Sequence, residues 1–151
     1  MDDAQSQLDA FLAKFTPEVD ALAHDLTARM RARLPGTVVM VYDNYNALAI
    51  GFGPTEKPSQ AILSLAVFPR WVTLCFLQGA GLPDPAGLLR GEGSRVRHVR
   101  LHDPEALGDP RIEALIGEAV ARSEPPFDTA SDQRLVIKSV SAKQRPRRPS
   151  V

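Results

Sequence analysis

The chain has 151 residues, 44% of them hydrophobic and 24% charged, with a formal net charge of zero. This is an ordinary globular composition, with enough chain to bury a core in one domain. It excludes a surface built throughout for nucleic acid or anionic membrane, and the lone cysteine, Cys75, excludes an internal disulfide and any multi-cysteine metal site. No apolar run reaches the length of a membrane span and MDDAQSQ does not read as a signal peptide, so a cytoplasmic protein that does not engage membrane is expected.

In chain order, Leu8, Phe11, Leu12 and Phe15 fall at the spacing of a short amphipathic helix. Thr16 and Pro17 restart a helix as N-cap and first helical residue. Val19, Leu22, Ala23, Leu26 and Met30 make its buried face. Asp25 and Arg29 sit one turn apart, and Leu34-Pro35-Gly36 stops the helix. Strands are expected over 37–43, 47–53, 61–68 and 71–77, joined by short turns, which implies an antiparallel meander. The last two are apolar on both faces and read as central strands. A fifth strand covers 96–101, and Asp109-Pro110 opens a helix carrying Ile112, Leu115, Ile116, Ala119 and Val120. Residues 134–139 form a last strand or an extended segment. The whole is one α+β domain over 1–141, followed by a basic tail, 142–151, too poor in apolar residues to order itself.

Charge is unevenly spread. Residues 1–28 carry six acids (Asp2, Asp3, Asp9, Glu18, Asp20, Asp25) against Lys14, whereas 134–151 carries six cations and no acid. Such asymmetry marks an interaction surface, or two regions that neutralise one another. The RPRR ending resembles a phosphate-backbone contact, but no aromatic residue is interleaved in it to stack bases. Nucleic acid is therefore not expected except through this tail.

The loop 79–94 holds five glycines and two prolines in sixteen residues. Glycines let backbone N–H groups close on an anion. The candidate ligand-binding set is Gly79, Gly81, Arg90, Gly91, Gly93, Ser94, Arg95 and Arg97. Arg95 and Arg97 share one strand face and lie nearest the loop, and His98 and Arg100 share the other. The alternative is a loop whose glycines only satisfy turn geometry. It is not a P-loop, since no Gly-Lys-Ser/Thr ending is present. His98, His102 and Asp103 suit a divalent metal by residue type, but an extended strand separates the histidines by about 13 Å. Cys75 reads as a core-packed, inert thiol. Tyr42, Asp43, Asn44 and Tyr45 either line a pocket at a sheet end or simply turn the chain. His24, alone on its helix, reads as a surface residue. No Ser/His/Asp or paired-carboxylate arrangement declares itself.

Taken together, Leu34-Pro35-Gly36, the GFGPTEKPS turn, Val67–Val72, the FLQGAGLPDPAGLLRGEGSRVRHVRL block and RLVIKSVSAKQRPRRP resemble the YdhG-like domain family, over residues 15–148, and most closely a bacterial branch of it. The resemblance implies a small α+β fold, with helices packed on a curved, mainly antiparallel sheet of five to six strands. It supplies no agreed catalytic residues. Some members are described as frataxin-like iron chaperones, which implies iron as a cargo of the acidic first helices. The expected function is a non-enzymatic binding module for a small anionic ligand or protein partner at the Gly/Arg loop. An iron-binding chaperone and an enzyme of unknown reaction are the alternatives, and the oligomeric state is open.

Overall fold

The computed structural model describes residues 3–149. Three helices and six strands follow in the order α1 (Ala4–Leu12), α2 (Pro17–Arg33), β1 (Val38–Asp43), β2 (Leu48–Gly53), β3 (Leu63–Val67), β4 (Val72–Phe76), β5 (Arg97–Leu101), α3 (Pro110–Ala121) and β6 (Arg134–Val140). Local chemistry sets the helix ends. Asp3 caps α1 by accepting from the Ser6 N–H, Thr16 Oγ1 accepts from Val19 N–H at 3.3 Å, and Asp109 accepts from Arg111 N–H. Glu18 and Asp20 lie in the first turn of α2 and Arg31 and Arg33 in its last, the arrangement the helix dipole favours. Gly36 ends that region with φ at +81°, and a Cβ there would collide with the Asp128 carbonyl. Only glycine satisfies both demands.

The fold is α+β, with helices packed on a mixed, mostly antiparallel sheet of order β5-β4-β3-β2-β1-β6. The meander from β1 to β5 is as expected. Residues 134–140 do form a strand, and it pairs parallel to β1. The chain therefore crosses from the β5 edge to the opposite edge through α3. Among the described residues β5 and β6 do not pair with one another, so the sheet is open rather than curled closed.

One face of the sheet makes the core. The cross-strand pairs Val39–Phe52, Val41–Ile50, Ile50–Leu65, Leu63–Phe76, Leu65–Leu74 and Val72–Leu101 run from β1 to β5, completely buried. Leu12, Phe15, Leu26, Met30, Leu115 and Ile116 close over them from the helices. At about 25 cal/mol per Å² of apolar surface, this layer is the main stabilising term.

Two expectations are corrected here. β3 and β4 are internal strands, but their second face is not a second core. Its residues are Ser64, Ala66, Thr73 and Cys75, and Ser64, Ala66 and Cys75 are half-exposed. An apolar count cannot separate a covered face from an open one lined with short side chains. Nor is the basic ending a disordered tail, as far as Pro149. Arg145 N–H donates to the Tyr45 carbonyl at 2.9 Å and Gln144 Nε2 to the Asp43 carbonyl at 3.1 Å. Arg147 Nη2 donates to Asp43 Oδ1 at 2.9 Å, with side-chain exposures of 4% and 1%. Its guanidinium also lies over the Phe15 ring, and Arg148 Nε donates to the Lys14 carbonyl. The segment is anchored by a buried ion pair, which composition does not reveal. Residues 150 and 151 of the expected tail, and Asp2 of the acidic cluster, lie outside the described residues.

Candidate anion-binding face of the sheet

Strand alternation and register build the open face in two rows. One runs Met40–Gly51–Ser64–Cys75–His98 and the other Tyr42–Ala49–Ala66–Thr73–Arg100, each from β1 to β5. Long side chains stand on β1 and β5, Met40 among them fully buried, and nothing larger than threonine stands on the three strands between. Four strand spacings make this trough about 19 Å wide. Toward β5 it deepens into a depression of about 580 Å³.

Ala66, Thr73 and Cys75 are its floor, and Phe68 and Trp71 its aromatic wall, with ring centroids 5.6 Å apart. His98, Arg100, His102 and Arg90 complete the lining, which contains no acid. The Arg100 guanidinium lies over the Trp71 ring, 4.0 Å from its centroid. Stacking of this kind fixes the guanidinium plane and leaves its N–H edge free for a bidentate anion. Arg90 and His98 exchange backbone hydrogen bonds of 2.8 and 2.9 Å, which hold the end of the glycine-rich loop against the outer edge of β5.

The candidate residues of that loop are not gathered in one pocket. Arg90 reaches the depression, and Gly91 (φ +118°) packs beside His98 and Arg97. Gly93, Ser94 and Arg95 line a separate depression with Pro58, Ser59 and Gln78. A Cβ on Gly79 would stand 2.7 Å from the Arg97 Cβ, so this glycine serves close packing. The Gly81 carbonyl accepts from Arg122 at 2.6 Å, on the α3 side. Arg97 pairs across from core Phe76, and its guanidinium donates to the carbonyls of Gly93 and Val96. The loop also supplies its own anion. The Asp84 carboxylate accepts the N–H groups of Leu88 and Leu89 at 3.0 and 2.9 Å. The depression thus belongs to the His98–Arg100 face, not the Arg95–Arg97 face. Sequence reasoning missed Trp71, and it weighed the His98–Arg100 pair but chose Arg95 and Arg97 as nearer the loop. The signal for Trp71 and Arg100 was the period-two alternation of two adjacent strands, readable only once the register is known.

Cys75 is corrected from core to open face. It lies directly across from His98, half-exposed, with its thiol pushed up by burial. A thiol so held is a poor nucleophile. Tyr42 faces the trough, while Asp43 turns the other way and is buried against Arg147. Tyr45 is 50% exposed.

The acids offered for iron do not converge. Asp9 and Asp20 both bond His24, at 2.9 and 2.7 Å, and Asp25 bonds Arg29 at 2.9 Å. Among the described residues, no group of three or more His, Cys, Asp or Glu side chains is placed to hold a metal ion. His24 is therefore a clasp between α1 and α2 rather than an isolated surface residue. No helix among the described residues is long and apolar enough to cross a membrane.

Fold and site together define an α+β protein with helices on one sheet face and a basic, aromatic-walled trough on the other. No family model, no curated protein and no solved structure matches this chain.

Proposed function

We propose that this chain is a non-enzymatic binding protein, YdhG-like in kind, whose open sheet face takes a small anionic ligand with a flat, apolar part. The observation that carries the reading is the Arg100 guanidinium stacked on Trp71, in a depression whose lining adds Arg90, His98 and His102 and no acid. The phosphate or carboxylate of the ligand meets Arg100 edge-on, and its flat part lies against the Phe68–Trp71 wall. The family part of the reading rests on the sequence motifs alone. A cytoplasmic location belongs to the same reading, as the lone Cys75 suits a reducing compartment. Iron handling gains no support, because Asp9 and Asp20 are engaged by His24 and Asp25 by Arg29.

The test is thermal-shift screening against inorganic phosphate, nucleoside monophosphates and aromatic carboxylates, followed by calorimetry with Arg100→Gln. A charge-assisted hydrogen bond is worth about 1.5–3 kcal/mol, so this variant should bind roughly ten- to a hundredfold more weakly. If no anion raises Tm, or if Arg100→Gln keeps the full affinity, the reading is wrong.

A further inference from the structure

We infer that the depression is one end of a longer track, and that the track binds single-stranded nucleic acid. The inference rests on the proposed anion site and extends it. On the far side of the Phe68–Trp71 wall lies a second depression of about 750 Å³, which shares those two rings with the first. Arg70, Arg145 and Arg148 line it with Asn46, and again no acid does. Arg145 stands over the half-exposed Tyr45 ring, 5.8 Å from its centroid. Arg148 is held in place by the Lys14 and Ala13 carbonyls.

Along the sheet, cations flank the rings: Arg100 on Trp71, then Phe68 and Arg70, then Arg145 on Tyr45. The basic ending has no aromatic residue of its own, but folding supplies three from two distant turns. That is the pairing single strands require, since bases stack on aromatic and guanidinium planes while arginines follow the phosphates. A duplex keeps its bases stacked on one another and gains nothing from the rings. An acidic peptide matches the charge but does not present a flat group at every residue.

The acids of α1 and α2 lie on the other side of the sheet. Lys14, Arg29, Arg31 and Arg33 share that side and nearly balance them, so a polyanion is steered by the local excess of cations that line the trough. A path of about 19 Å or slightly more holds roughly four nucleotides, the short end for a single small domain.

The test is fluorescence anisotropy on the full chain with labelled oligothymidylates of increasing length, against thymidine monophosphate, a duplex, heparin and phosphatidylserine vesicles. Affinity should rise with length to about four to six nucleotides and then level off. It should fall with salt along a log–log line, and the double variant Arg70→Gln/Arg145→Gln should flatten the slope by about 1.4, two lost phosphate contacts. Arg29→Gln, on the helix face, should leave the slope unchanged. Trp71→Leu should weaken oligonucleotide binding about five- to a hundredfold. If the monophosphate binds and oligonucleotides bind no tighter, the track is refuted and the small-anion site stands. If neither binds, the track is refuted, and the small-anion site falls with it when no phosphate or aromatic carboxylate raises Tm either. Equal affinity for duplex, heparin or vesicles would also overturn the track, because the rings would then contribute nothing.

Discussion

Asp43 and Arg147 form an ion pair almost completely withdrawn from water. Lys14 Nζ, 3.8 Å from Asp43 Oδ2, is near enough to attract but not to hydrogen-bond, and Asp43 Oδ2 and Arg147 Nε have no hydrogen-bond partner within the described residues. Taking two charges out of water is costly, and their attraction roughly offsets that cost only while both are present. Arg147→Ala should therefore destabilise the fold by about 3–5 kcal/mol, since it leaves the buried Asp43 with only the distant, half-exposed Lys14 to offset its charge. The double variant Asp43→Asn/Arg147→Met, which removes both charges and keeps the volume, should recover most of that loss. Urea unfolding of the two proteins decides the matter. A single variant within about 1 kcal/mol of the parent would show that water already reaches Asp43.

The α1–α2 corner is legible in sequence up to the point where side chains meet. Thr16, Pro17 and Gly36 announce the helix ends because capping and chain reversal are decided within a few residues. Asp9 and His24 are fifteen residues apart, and the packing of two helices brings them together. Burial works against a charged His24, but hydrogen bonds to Asp9 and Asp20 outweigh it, and its pKa is raised above the usual 6.5. Asp9 is lowered from 3.8, first by its bond from His24 and then by one from Gln5. For a raised histidine, the stabilisation is complete below the unfolded value and fades as pH climbs through the folded one. The lowered aspartate sets the other limit, since its share is lost as pH falls below its unfolded range. The clasp is thus firmest between about pH 4 and 6.5. Its side chains are 41% and 53% exposed, so solvent screens it to about 0.2–1 kcal/mol. Stability measured by urea should decline gently from about pH 6 to pH 8, and His24→Gln should remove that decline. An identical profile in the variant would assign the slope to another group.

At the scale of the whole molecule, the meander was readable because each of its strands pairs with a neighbour in sequence. Two features were not. β6 takes its partner from the start of the sheet, on a crossover that no local pattern encodes. The basic ending does not pay for its order with apolar burial, so composition labels it a tail. It is better described as a strap, running from the end of β6 over the β1–β2 turn to the α1–α2 corner. Its contacts are unequal. Gln144, Arg145 and Arg148 bond carbonyls at or near the surface, each worth about 0.5–1.5 kcal/mol at most, and only Arg147 is buried. If the strap is pinned at one point, deleting residues 142–151 should cost about as much as Arg147→Ala alone, about 3–5 kcal/mol, because both leave the same stranded carboxylate. Adding Asp43→Asn to the truncated chain should then restore much of the loss. The surface bonds add together only if each holds independently, and in that case the truncation would exceed the point variant by several kcal/mol. Chemical unfolding of the four proteins, parent included, separates a single anchor from a distributed one. A truncated chain as stable as the parent would show that the core does not need the strap at all.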